Sequence, residues 1–320
     1  MEPIFLTPAF RPKIWGGRKL KTIFNYDIPD GKVGEAWIIS AYKNDAATVS
    51  HGELKGKTLR EVYQEHPELF GMPKEKEFPL LVKFLDANDS LSVQVHPDDD
   101  YARKYENDNG KTESWYVLQA DPGAYLIYGH TAKTREELAD MIHQGKWDEL
   151  LRKVPVKTGD FFYVPAGTIH ALTKGILVIE TQQSSDVTYR LYDYDRVDSK
   201  TGKKRELHTE KSIAVTTVPH VDPQLNITTE AEQDAQIKTL VAPPVSPHFY
   251  LWQIDLDGKW QTGLKEHPYL LVSVIAGSGQ LVTEAGSYDL ELGTNFIIPN
   301  EMKNFTFTGK MKIIMSAPGN

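Results

Sequence analysis

The chain has 320 residues, 40% hydrophobic and 25% charged, with 44 acidic against 36 basic side chains and a net charge of −8. This is the profile of a globular protein long enough for one or two domains, and the acidic balance disfavours nonspecific nucleic-acid binding while leaving room for local cations around a small anion. There is no cysteine, so disulfides, thiolate nucleophiles and thiolate metal ligands are excluded, and any metal must be held by His, carboxylate or amide oxygen.

In chain order, the opening segment MEPIFLTPAFRPKIWGG lacks the apolar run and cleavage pattern of a leader, and no later run approaches a membrane span. The expectation is a cytoplasmic protein with no membrane partner. The apolar runs that follow are short and bounded by Gly, Pro, Asn and Asp: EAWIIS, FPLLVKFLDA, LSVQVH, SWYVLQA, AYLIYG, DFFYVPAG, GILVIET and VTYRLYD. Many closely spaced short strands predict a mainly β chain of sandwich or barrel type. Helical pattern is confined to two stretches, 58–71 (TLREVYQEHPELFG) and 134–154 (TREELADMIHQGKWDELLRKV). In the second, Thr134 can cap the first turn with Glu137 three residues on. The proline-rich LVAPPVSPH at 240–248 reads as a boundary, dividing the chain into 1–240 and 241–320. An internal echo suggests that the two parts are similar units: GDFFYVPAGTIH (159–170) and GTNFIIPNEMKN (293–304) share a Gly, a strand, a Pro six residues later and a turn, with His170 in the first where the second has Asn304.

The chemistry concentrates in the first part. Strand alternation aims Ser92, Gln94 and His96 at one face and Leu91, Val93 and Val95 at the other. After an acidic interval read as a turn, Lys111, Glu113 and Trp115 share a face of the next strand. An amide oxygen, an imidazole and a carboxylate form a plausible coordination set for zinc or a similar divalent ion. His170, just beyond a strand–Pro–Gly turn, is the best further ligand. The other eight histidines (His51, His66, His130, His143, His208, His220, His248, His267) are read as surface residues. Lys83 interrupts an apolar run, so it lies either on an exposed edge strand, the simpler reading, or in a polar cavity where its charge needs a partner. Glu180, Gln182 and Arg190 sit in strand-like sequence. Arginine suits bidentate phosphate or carboxylate binding, although a surface ion pair with Asp186, Asp193 or Asp195 is the plainer alternative.

The stretches WGG (15–17), GEAW (34–37), LVKFLDA (81–87), LSVQVHPDD (91–99), GKTESWYVL (110–118), VPAGTIHAL (164–172) and IETQQSSDVTYRLYDYDR (179–196) closely resemble type I phosphomannose isomerase in its short bacterial form. The resemblance implies two cupin-like jelly-roll or β-barrel units, the second without metal ligands. It implies one Zn²⁺ per chain on Gln94, His96, Glu113 and His170, and a pocket lined by Ser92, Lys83, Lys111, Glu180 and Arg190 with Glu35 close by. Arg190 matches the arginine treated as catalytic in the family, and Lys111 and Glu180 are the accompanying candidates. The implied reaction interconverts mannose 6-phosphate and fructose 6-phosphate through a cis-enediol. Residues 134–154 offer only a small helical segment, which puts in doubt any substrate contact that longer members make through a helical domain. Zn²⁺ and Arg190 would push Lys83 and Lys111 down in pKa, and the cations would push Glu180 down. Two other readings compete: a cupin oxygenase, which would need neither the lysines nor the arginine, and a non-catalytic metal-binding cupin that recognises a phosphorylated sugar. No candidate interface stands out, so a monomer is expected.

Overall fold

Period-two alternation sets the architecture. In the strand Ile176–Gln183, Leu177 and Ile179 join one apolar cluster, while Ile176 and Val178 join another and Glu180 continues their face. Leu80–Ala87 repeats the pattern, with Leu80, Val82 and Phe84 on one side and Lys83, Leu85 and Ala87 on the other. Strands buried on both faces in this way belong between layers. The computed structural model describes residues 2–43, 45–198 and 201–319.

Among these residues the first unit is two facing antiparallel sheets. One has six strands in the order Phe161–Val164, Glu113–Ala120, Ile176–Gln183, Leu80–Ala87, Ala9–Gly17, Val33–Ile39. The other has five: Tyr189–Tyr192, Val93–Val95, His170–Leu172, Tyr125–His130, Leu151–Pro155. Between them lies a core that includes Trp15, Leu85, Trp115, Leu126, Leu172 and Val178. Val93, Val95 and Ala171 face outward, against Leu138 and Ile142 of the helix Arg135–His143 and Ile213 of the helix Thr209–Val215. The second unit is a nine-stranded sheet whose long strands Phe249–Gly263, Leu270–Thr283 and Asn304–Pro318 enclose an apolar core containing Val272, Phe296, Phe307 and Ile313. A third large cluster, with Phe84, Ile179, Leu251, Leu271 and Ile314, joins the back of the six-stranded sheet to this unit. The expected break at 240/241 falls near the end of Ala235–Val241, a strand of the nine-stranded sheet, and Ile4–Thr7 from the start of the chain pairs into the same sheet.

The first expected helix forms over Leu59–Glu65 with a Thr58–Glu61 capping box and continues as a short 3-10 turn, Pro67–Phe70. Such a cap is worth about 1 kcal/mol. In the second stretch Thr134 caps Arg135–His143 through the backbone N–H of Glu137, as expected, and a further turn spans Trp147–Leu150. Residues 151–154, read as helical, instead belong to the strand Leu151–Pro155 paired to Tyr125–His130: tertiary pairing overrides a weak helical pattern. The acidic PDDD, read as a turn, starts a helix at Asp99–Tyr105. Asp98 caps it through the N–H of Tyr101, Asp99 and Asp100 lie in its first turn, and Arg103 and Lys104 lie in its last. That charge order suits the helix dipole. The internal echo has a structural counterpart: Gly159 and Gly293 take φ of +90° and +88°, Phe161–Val164 and Asn295–Ile298 are strands, and His170 and Asn304 each open the next strand.

Candidate active site

The site is assembled from one row of residues on each facing sheet. On the six-stranded sheet, register sets Trp37 opposite Lys83, Lys83 opposite Glu180, and Glu180 opposite Trp115. All four side chains point inward and are at most 3% exposed. Cross-strand neighbours on one face touch, and these do: the Lys83 Nζ lies 3.4 Å from Glu180 Oε1 and 4.7 Å from the Trp37 ring centre, and Trp115 Nε1 donates to Glu180 Oε2 at 2.8 Å. Glu35, two residues from Trp37, accepts from Trp37 Nε1 at 2.7 Å and pairs with Lys13 at 2.9 Å. On the five-stranded sheet, Gln94 stands between Arg190 and His170. Between the rows lies a cavity of about 280 Å³ whose walls include Lys13, Trp15, Ser92, Gln94, Lys111, Asp186, Arg190 and Arg205 besides Glu35, Lys83 and Glu180.

Next to Gln94 and Lys111 of this wall, the candidate ligand atoms of His96, Glu113 and His170 lie within 4.8 Å of one another, all three residues buried. His96 Nδ1 lies 2.9 Å from the Val187 carbonyl, and His170 Nδ1 lies 2.8 Å from that of Thr168. A carbonyl only accepts, so each Nδ1 carries the proton and each Nε2 presents a lone pair. Those lone pairs face Glu113, with each Nε2 3.2 Å from a carboxylate oxygen. Both oxygens are fully buried without an aligned hydrogen bond. Buried acceptors converging on acceptors are unfavourable unless a cation bridges them. Lys111 supplies part of that charge from 3.2 Å, and the Gln94 amide completes the group 3.4 Å from His170 Nε2. The donor set and the orphaned carboxylate together fit a divalent metal ion.

Electrostatics divides the carboxylates. Burial acts to raise Glu113, but Lys111, His170 and His96 hold it well below the usual range. Burial likewise opposes ionisation of Glu35, yet Lys13, Lys83 and the Trp37 N–H bring it down to about 2. Glu180 goes the other way, raised by burial and by Glu113 against the pull of Lys83 and Lys111. Burial disfavours the charged Lys111, but Glu113, Glu180 and Asp186 outweigh it and raise its pKa. Lys111 and Glu180 thus shift opposite to the directions expected from sequence, Lys111 because the surrounding acids outweigh its burial and Glu180 because of burial first and Glu113 second. Burial, then Lys111, pushes His96 down to about 3, so its imidazole is neutral.

Gln94, Ser92, Lys83, Lys111, Glu180, Arg190 and Glu35 therefore line one cavity, and His96, Glu113 and His170 adjoin it through Lys111 and Gln94. The edge-strand reading of Lys83 fails because its strand is paired on both sides. The surface-pair reading of Arg190 fails as well: its Nη1 donates to the Glu206 carbonyl at 2.8 Å, and its buried Nε has no partner. Leu91, assigned to the far face, also lines the cavity, since the strand begins only at Val93. His130 is buried, not superficial, and bonds the Thr217 carbonyl at 2.9 Å. Lys13, Asp186 and Arg205 were not anticipated. Alternation of Arg11, Lys13 and Trp15 in FRPKIW held the signal for Lys13, whereas Arg205 is brought to the cavity beside the bridge between Val197 and Lys204.

Residues 4–125 match the family model described as phosphomannose isomerase type I, catalytic domain, and residues 239–318 that described as mannose-6-phosphate isomerase, cupin domain. The chain is 51% identical over 319 residues to a mannose-6-phosphate isomerase of Streptococcus mutans serotype c, with 98% of each chain covered. A second relative, a mannose-6-phosphate isomerase of Bacillus subtilis, is 46% identical over 317 residues and again 98% of each chain. The crystal structure of the mannose 6-phosphate isomerase from Bacillus subtilis superposes with a TM-score of 0.95 at 47% identity, covering 99% of both chains. On its sequence, its cupin architecture and these full-length matches, the chain belongs to the type I phosphomannose isomerase family.

Proposed function

We propose that the protein interconverts mannose 6-phosphate and fructose 6-phosphate, with one Zn²⁺ held by Gln94, His96, Glu113 and His170. The observation that carries this reading is the joining of an orphaned buried carboxylate between two Nε2 lone pairs to a cavity walled by Lys13, Lys83, Lys111, Arg190 and Arg205. Cations in excess over Glu35, Glu180 and Asp186 suit a phosphorylated substrate. When bound, the metal supplies Lewis-acid stabilisation of negative charge on the sugar's C1 and C2 oxygens.

The chain's own groups divide the remaining work. Glu180 Oε1 is buried and lacks an aligned hydrogen bond, while Oε2 is fixed by Trp115. A carboxylate raised in pKa and so oriented is the candidate base. It takes the proton from C2 of the open-chain aldose, leaving an enediolate charged on O1. O1 then gains by exchange the proton that O2 gives up in the second half, so that the step passes through the cis-enediol. The carboxylate then returns the proton to C1 as O2 gives up its own, leaving the ketose. Lys111 stays protonated and donates toward the developing oxygen charge, and Arg190 adds a second cation from the opposite sheet. Ser92, Lys83 and Glu35 line the pocket for the sugar hydroxyls.

A monomer in the cytoplasm fits a charged sugar phosphate that does not cross membranes unaided; light scattering on purified protein tests the mass. Among the described residues no helix is long and apolar enough to span a bilayer. The deciding experiment is a coupled assay of fructose 6-phosphate formation from mannose 6-phosphate, before chelation, after it, and after zinc is restored. Turnover should vanish and return. Hexose phosphate binding without conversion would mark a non-catalytic cupin, and oxygen consumption would mark an oxygenase.

A further inference from the structure

The cavity has a depth gradient in its cations. The side chains of Lys83 and Lys111 are 3% and 5% exposed, whereas those of Lys13 and Arg205 are 27% and 22% exposed, which sets the last two at the mouth. Lys13 is tied to Glu35. Arg205 is tied to Asp193, a residue only 4% exposed that the sequence marked only as a possible ion-pair partner of Arg190.

Asp193 spends both carboxylate oxygens on arginine. Arg205 donates to it from Nε at 2.9 Å and also from Nη2, and Arg196 donates from Nη2 at 2.6 Å. The backbone is bent to allow this. Tyr194 and Asp195 both take left-handed conformations, φ +54° and +55°, which turn the chain so that the N–H of Arg196 reaches the Asp193 carbonyl. Side chains other than glycine adopt that region at a cost. The loop then closes through a bridge between Val197 and Lys204 and delivers Arg205 back onto the same carboxylate. Bidentate pairing uses the Nε–H and one Nη2–H and leaves the Nη1 protons and the second Nη2–H of Arg205 as donors along its other edge. Arg190 is coupled to the arrangement, since its Nη1 is anchored on the carbonyl of Glu206, next to Arg205. Three guanidiniums crowded in this way repel one another unless an acid sits among them.

We propose that Asp193 is a positioning residue: it holds Arg205 at the cavity mouth, where Arg205 contacts the phosphate group of the bound sugar phosphate. The inference rests on the sugar-phosphate reading above and adds to it a device that sets the geometry of anion recognition away from the metal. A planar guanidinium fixed along one edge presents its other edge in a defined direction, which a flexible surface arginine does not.

The test compares Asp193→Asn, Arg205→Gln and the double variant in the full-length, zinc-loaded enzyme. The readouts are kcat and KM for mannose 6-phosphate, and calorimetric binding of fructose 6-phosphate and of inorganic phosphate. Each single variant should raise KM and weaken both ligands by about tenfold while kcat falls less than about threefold. Because Asp193 acts through Arg205, the double variant should bind no worse than Arg205→Gln alone. Arg205→Lys, which keeps the charge without the planar fork, should recover only part of the loss. Unchanged KM and affinity in Arg205→Gln overturn the proposal. So do additive losses in the double variant, or a fall in kcat with loss of zinc, which would mark a purely structural acid. Should Asp193→Asn fail to fold, the two Arg205 variants still decide the phosphate contact. If the wild type binds fructose 6-phosphate but does not isomerise it, the functional reading fails while the binding comparison still judges Asp193.

Discussion

The two β units carry the same punctuation and opposite interiors. In each, a glycine at φ near +90° leads into a strand, a proline and a turn, and a polar residue opens the next strand. In the first unit that residue is His170, fully buried with its Nε2 on Glu113; in the second it is Asn304, exposed. The first interior holds Glu35, Lys83, His96, Lys111, Glu113 and Glu180, each at most 8% exposed. The second is filled by Val272, Leu281, Phe296, Phe307 and Ile313. Burying an ionic group costs several kcal/mol unless it is paired or bound to a cation. The comparison therefore teaches that the jelly-roll frame tolerates either filling, and that only the charged one calls for a function to explain it.

The largest effect should come from removing the proposed ligand that distinguishes the units. His170→Ala takes one lone pair from Glu113, and the purified variant should lose its metal by elemental analysis and about a thousandfold or more of turnover. A variant that kept stoichiometric metal would break the comparison at its centre. Next is Arg190→Ala, which touches no ligand of the triad. It should keep the metal yet lose about a hundred- to a thousandfold in kcat, the scale for deleting one group that stabilises charge in the transition state. Near-normal turnover in a metal-loaded variant would return Arg190 to the role of an ordinary strand residue.

What the sequence disclosed follows from how local each signal is. Gln94, His96 and Glu113 were marked by period two, because polar residues recurring on one face of a short strand point to a shared surface, whereas Glu180 was marked only as a polar residue in strand-like sequence. The strands themselves were visible as short apolar runs between turn residues. Lys83 was marked as odd, but alternation alone cannot tell an edge from a centre; that depends on the neighbours Val33–Ile39 and Ile176–Gln183, far along the chain. Arg205 gave no signal at all, since it lines the cavity through a loop closure and an ion pair, neither of which has a period. The helix Asp99–Tyr105 was legible in principle, as an Asp cap, an acidic first turn and a basic last turn, but the prominence of the aspartates drew the reading toward a turn. Resemblance to a family placed the ligands together; it said nothing about Asp193.

The buried charges of the first unit should also make its stability depend on pH. Glu35 falls from an ordinary value of 4.5 to about 2 in the folded protein because Lys13, Lys83 and the Trp37 N–H outweigh its burial. A depressed carboxyl stabilises the fold above its unfolded pKa and loses that contribution as pH falls through its folded pKa. Wild type should therefore exceed Glu35→Gln by up to about 3 kcal/mol at pH 7, with the gap shrinking between pH 4.5 and 2. Thermal melts of both proteins across that range would show it, and parallel curves would mean that Glu35 is not held by its cations.

The smallest effect is the most pointed. If the shared punctuation made the site, Asn304→His would begin a second metal centre. The facing elements argue otherwise. His170 is placed to bind a metal because its strand pairs with Val93–Val95, which brings Gln94 beside it, and because Glu113 stands on the opposite sheet. Asn304 pairs instead with Gly263 in the long hairpin-like ladder of Phe249–Gly263, and its side chain is exposed. Asn304→His and Asn304→Ala should each change stability by less than about 0.5 kcal/mol, the range for surface substitutions, and leave both metal content and turnover unchanged. A second equivalent of metal in Asn304→His would mean that the turn positions a ligand by itself. One equivalent would assign the site to the two facing rows of the first unit, with the turn only starting the strand on which His170 sits.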